Sequence, residues 1–182
     1  MRLFSFSLIF CSAIAVICSN QKNFENEVIA IKEIKKMPYI PELSGDSLFW
    51  SLVQKKLEVV PELINCLNDT TITQANVPNF GGYYTVADIS YYIISEIIKD
   101  IPTDQFVDTV NSGAGGYWMY WNFVRTSYDN RLSFQKDVEK WYDINKSKLV
   151  WVEDNRKYRT AIDWKFPTSR HPAGGHYFIF SK

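Results

Sequence analysis

Apolar side chains recur at three- and four-residue intervals from Leu48 to Ile98, broken only at prolines and polar runs. That interval is the period of helices with one buried face, so the chain must find a partner surface for each helix. Leu48, Phe49, Leu52, Val53 and Leu57 form a first stripe, opened by Ser44-Gly45-Asp46. Pro61 restarts the pattern in a first helical turn, where its missing N–H costs nothing. The second stripe is Val60, Leu63, Ile64 and Leu67, closed by Asn68-Asp69. Residues 69–84 read as a polar loop. Thr85-Val86-Ala87-Asp88 then has the form of a capping box, opening a helix to about Asp100 with Ile89, Tyr92, Ile93, Ile97 and Ile98 inward.

Further along, Pro102-Thr103-Asp104 caps a short helix carrying Phe106, Val107 and Val110, and Gly113-Ala114-Gly115-Gly116 is an internal loop. Two helices are expected next. The first is aromatic, Tyr117 to Tyr128; the second runs from Asn130 to Lys148 with Leu132, Phe134, Val138, Trp141 and Tyr142. Leu149-Val150-Trp151-Val152 is β-rich and too short for anything but a strand, and Tyr158–Trp164 and His176–Phe180 could pair with it. The expected fold is therefore mainly α (α+β), closed by a small C-terminal β-sheet at about 149–182.

The N-terminus sets the compartment. Arg2 precedes an almost wholly apolar run, Leu3 to Ile17, and polar Asn20, Gln21 and Lys22 follow. That is the plan of a secretory signal peptide, and the run is short for a membrane span of about 20 residues. Cleavage after Ser19 or after Ala15 fits, and lipid attachment at Cys18 is an alternative that would anchor the chain to a membrane. The expected product is exported, periplasmic or secreted, with 1–19 removed, 20–44 as an N-terminal tether and 45–182 as one helical domain. Within 20–44, Phe24, Val28, Ile31 and Ile34 keep helical spacing before Pro38 and Pro41 break it. Loss of residues 1–19 leaves Cys66 as a lone cysteine, so no internal disulfide is possible and the domain must rest on its core. The expectation for Cys66 itself is a small buried hydrophobe.

Composition excludes several functions. Twenty basic and twenty acidic side chains balance to a net charge of +0, without the basic stripe of a nucleic-acid binder. Gly113-Ala114-Gly115-Gly116 lacks the lysine and preceding strand of a phosphate loop, so no nucleotide is expected. Aromatic residues reach 16%, enough to supply both a core and a binding surface.

Few residues suggest chemistry. His171 and His176 share a glycine-rich turn, and a metal site would need more ligands than two histidines. The expectation is a backbone hydrogen bond from one of them, with a ligand role as the alternative. Ser169, His171 and Asp163 lack the nucleophile elbow of a serine hydrolase. Glu96, Asp100, Asp104 and Asp108 fall four apart, as any solvated helix face does. Trp118 and Trp121 share a helical face with Arg125 a turn on, and Tyr83-Tyr84 follow two glycines; each set is core or an exposed platform for a glycan or a partner.

Two resemblances come from particular residues. Val59-Val60-Pro61-Glu62-Leu63-Ile64 through Leu67-Asn68-Asp69, with Tyr84-Thr85-Val86-Ala87-Asp88-Ile89, resembles a single HEAT-type pair of antiparallel helices over residues 47–100. Such pairs imply a protein-binding scaffold. The chain is also similar to a group of uncharacterised exported proteins of Bacteroidota. Gly45-Asp46 before Phe49-Trp50, Asp69-Thr70-Thr71, Phe80-Gly81-Gly82, Trp118 with Trp121, Arg131, Trp141-Tyr142 with Leu149-Val150-Trp151, His171-Pro172 and Gly174-Gly175-His176-Tyr177 carry that likeness. The sequence thus leads to an exported, non-enzymatic scaffold that binds a protein or a cell-envelope component, without cofactor or metal. The alternative is a cell-envelope enzyme or glycan-binding protein using Tyr83, Tyr84, Trp118, Trp121, His171 and His176.

Overall fold

The computed structural model describes residues 21–38, 45–78, 81–99, 101–107, 116–153 and 173–179, with the backbone alone for 21–23 and 116–118. It is helix-rich, with two small antiparallel two-stranded sheets, and so α+β.

The first helix, α1 (Gln21–Ile29), runs into a 3-10 turn at Ala30–Glu33. Val28, Ile31, Ile34 and Met37 all lie in the main core, Ile31 and Ile34 with no exposed surface. This segment, expected as a tether, is part of the packed body. Its three- and four-residue spacing presents one apolar face, and that face finds a partner surface.

Asp46 caps α2 (Ser47–Gln54) through the Leu48 N–H at 3.0 Å, while its own N–H donates to the Lys36 carbonyl at 2.9 Å. One residue therefore starts a helix and fixes the chain before it. Gly45 beside it has φ +111°, a left-handed conformation that a side chain would strain, and a Cβ would meet Trp50 Nε1 at 3.0 Å. The next helix, α3 (Val60–Asn65), carries Pro61 in its first turn as expected, and it buries Val60, Leu63 and Ile64.

Residues 69–84 are not simply a loop. They hold β1 (Ile72–Asn76) antiparallel to β2 (Tyr83–Thr85). Thr73 and Ala75 point inward while Ile72, Gln74 and Asn76 point out. Burying a threonine needs a hydrogen-bond partner, and the Thr73 hydroxyl donates to the Tyr84 carbonyl at 2.9 Å. The polar composition concealed this period-two pattern.

The centre of the molecule is α4 (Val86–Ile97), against which α2 and α3 pack. It is buried nearly all round, including Val86 to Tyr91, Ile93, Ile94 and Ile97. Its capping box is complete: the Asp88 N–H meets Thr85 Oγ1 at 3.3 Å and the Thr85 N–H meets Asp88 Oδ2 at 2.8 Å. The aromatic helix is shorter than expected: α5 (Gly116–Asn122) gives way to a 3-10 turn, Val124–Thr126. Ser127 then caps α6 (Tyr128–Asn145) through the Asn130 N–H at 3.1 Å. Tyr120 stacks on Tyr91 with centroids 4.2 Å apart, and Phe134 of α6 packs edge-on to both. Full burial of such side chains stabilises by roughly 1.5–3 kcal/mol each.

The expected closing sheet is present as one strand pair, and residues 158–164, the other candidate strand, lie outside the described residues. β3 (Leu149–Glu153) pairs antiparallel with β4 (Gly175–Ile179), placing Trp151 opposite Tyr177 and Glu153 opposite Gly175. It is tied to the end of α4 by the Lys99 N–H on the Tyr177 carbonyl at 2.9 Å. A second tie is Lys56, whose ammonium lies 3.7 Å from the Trp151 ring centre.

Candidate functional site

The capping acid of α4 is the centre of a buried polar cluster. Asp88 has no exposed surface, and a buried carboxylate is tolerated only when paired and hydrogen-bonded. Oδ1 accepts from the Tyr120 hydroxyl and from Arg131 Nη2, both at 3.0 Å. Oδ2 accepts from Arg125 Nε at 3.0 Å and from the Thr85 N–H. These four bonds fill the acceptor positions of a carboxylate. Burial pushes the Asp88 carboxyl upward, but Arg131, the Thr85 N–H and Arg125 together outweigh it and hold the group below its ordinary 3.8. Tyr120, also bonded by Arg131 Nη1 at 3.1 Å, is held well above 10 by burial and then by the Asp88 charge.

This arrangement is a clamp. It joins the start of α4, the end of β2, α5 and α6 through one side chain. A saturated carboxylate is poorly placed to take a proton from a substrate.

Arg125 carries the cluster to the surface. Its side chain is 31% exposed, against 3% for Arg131. Nη2 donates to the Tyr83 carbonyl at 3.0 Å, and the guanidinium lies 4.7 Å from the Trp121 ring centre. Trp121 is half-buried, donates from its indole to the Tyr92 hydroxyl at 3.3 Å and meets Tyr84 edge-on at 5.7 Å. Phe123 and Tyr128, two and three residues from Arg125 along the chain, and Tyr83, whose carbonyl it holds, are exposed at 43%, 56% and 49%. These three aromatic residues, joined to Arg125 by sequence or by its hydrogen bond to Tyr83, make up an aromatic corner.

No family model, curated protein or solved structure matches this chain.

The residues singled out from the sequence divide. Tyr83 is on the corner and exposed, whereas Tyr84 turns inward and is buried against Tyr92 and Trp121. Trp118 lies in α5 at a position where only the backbone is described, and His171 lies outside the described residues. His176 is 3% exposed, with Nδ1 2.7 Å from the Glu96 carbonyl, a backbone bond of the kind expected for one histidine. Glu96 is eight residues beyond Asp88, about 12 Å along the helix, so His176 and the aromatic corner sit at separate ends of α4. In the acidic series, Glu96 pairs with Lys99 at 3.3 Å and Asp104 is exposed; Asp100 and Asp108, with Ser169 and Asp163, lie outside the described residues. Among the described residues no three His, Cys, Asp or Glu side chains group as metal ligands.

Sequence reasoning found the capping box and singled out Trp121 with Arg125, but not the join between them. The signal was Asp88 itself, an acid on a helix otherwise lined with Ile and Tyr, with Arg125 and Arg131 available as counter-charges.

Proposed function

We propose that this chain is an exported, non-enzymatic binding protein whose aromatic corner holds a protein partner or a cell-envelope component. The observation that carries the reading is three exposed aromatic residues adjoining Arg125, which the Asp88 clamp holds in place. Interfaces concentrate their binding energy in Tyr, Trp and Arg held in fixed positions. Here the Asp88 clamp fixes Arg125, and Trp121 backs it, which lowers the ordering cost of using that guanidinium in a contact. Export is supported by the charged start, apolar run and polar boundary of residues 1–22.

Two finer proposals accompany this. The packing of α3 on α4 supports a HEAT-type pair, with β1 and β2 inserted in its connection. The second is the likeness to the exported Bacteroidota group, which residues such as Gly45-Asp46, Arg131 and Gly175-His176 carry in the sequence. An enzyme or glycan-binding role built on His176 has less support, because its ring is buried and held by the Glu96 carbonyl.

The test is capture from an envelope extract by the purified mature chain and by a Phe123→Ser/Tyr128→Ser variant. Both residues are exposed, so the variant should unfold at the same temperature as the parent. A partner retained by the parent and lost by the variant supports the reading. Capture of nothing, or equal capture by both chains, overturns it.

A further inference from the structure

We infer that the aromatic corner takes an acidic polypeptide segment, one of whose carboxylates sits on Arg125. The inference rests on the reading of the corner as the contact face. It begins with a charge imbalance: one carboxylate, Asp88, serves two guanidiniums. Arg131 and Asp88 are enclosed together and neutralise each other in the interior, where their attraction is least screened. Arg125 shares a carboxylate already engaged by Arg131, and its side chain reaches solvent. Only two of its five N–H groups are engaged among the described residues, by Asp88 and by the Tyr83 carbonyl. The nearest other acid along the chain is Asp129, exposed at the start of α6, where water screens its charge.

A guanidinium fixed on one side and open on another is suited to a carboxylate, which it can bind through two parallel hydrogen bonds. The occupant follows from the surroundings. A neutral sugar would bring no counter-charge to the open N–H groups of Arg125, and the Trp121 ring beneath the guanidinium is covered by it. An anionic membrane is held by clusters of basic residues, and among the described residues the cation on this corner is Arg125, in a chain of net charge +0. A peptide carrying both acidic and apolar side chains matches Arg125 with Tyr83, Phe123 and Tyr128.

The test uses the mature chain and a short fluorescein-labelled peptide of alternating Glu and Leu, read by anisotropy. A Lys-for-Glu peptide and polygalacturonate serve as comparisons. The expected result is binding of the acidic peptide alone, weakened by added salt and reduced about tenfold or more in Arg125→Gln. Phe123→Ser/Tyr128→Ser, which leaves the clamp intact, should reduce it as well. Failure of the acidic peptide, equal binding of the Lys peptide, or full retention by both variants overturns the proposal, as does preference for polygalacturonate. If the peptide fails while an envelope partner is still captured through Phe123 and Tyr128, only the acidic segment is wrong. If neither is bound, the binding reading falls with it.

Discussion

Asp88→Asn changes one atom and should be among the most damaging substitutions in the chain. The amide keeps the shape of the carboxylate, but it removes the counter-charge from Arg131, which is 3% exposed and cannot turn to water. Its NH₂ group must also face one pair of donors, either Arg131 with Tyr120 or Arg125 with the Thr85 N–H. Breaking a buried ion pair by removing one partner costs about 3–5 kcal/mol. At about 2–4 °C per kcal/mol for a chain of this size, the melting temperature falls by roughly 6–20 °C. Urea unfolding followed by tryptophan fluorescence would measure the loss directly. A double variant, Asp88→Asn/Arg131→Met, should lose clearly less than the sum of the singles, because each single leaves the other's charge uncompensated. The pH dependence has a definite sign. The folded carboxyl is held below 3.8, so its contribution is present above that pH and lost as pH falls through the lower folded value. Asp88→Asn should lack that part of the acid transition. A loss under about 1 kcal/mol, or an acid transition unchanged in the variant, would refute the clamp.

Three other outcomes follow from single residues. Ser90 is fully buried on α4 and its hydroxyl has no hydrogen-bond partner among the described residues, so Ser90→Ala should stabilise by about 1 kcal/mol in the same denaturation assay. Gly175→Ala would drive a Cβ into the Val152 carbonyl oxygen and to 2.9 Å from Trp151, costing roughly 1–3 kcal/mol and altering the near-ultraviolet signal of Trp151. Burial, with Asp69 and Glu62 adding to it, pushes the Cys66 thiol to about 11, so at pH 8 it should react with a thiol reagent roughly a hundredfold more slowly than a free cysteine.

The helical stripes were legible because their period is carried by side chains that have no other use. Phe49, Leu52, Val53, Leu63, Ile64, Ile93 and Ile97 are all buried where their spacing placed them. The capping box was legible for a similar reason, since Thr85 and Asp88 act on backbone three residues away. The first hairpin was not, because Thr73 is buried by a hydrogen bond to Tyr84 that composition does not reveal. Nor was the clamp, whose side-chain donors Tyr120, Arg125 and Arg131 lie 32 to 43 residues from Asp88 along the chain. The aromatic residues were ambiguous because Tyr83 and Tyr84, adjacent in a strand, face opposite ways.

Hydroxyl-radical labelling of the mature chain, free and bound to its envelope partner, would locate the contact face directly. The account predicts strong labelling of Tyr83, Phe123 and Tyr128 in the free chain and protection of all three on binding, with exposed Ile144 on α6 unchanged. Protection elsewhere, with those three labelled as before, would contradict it.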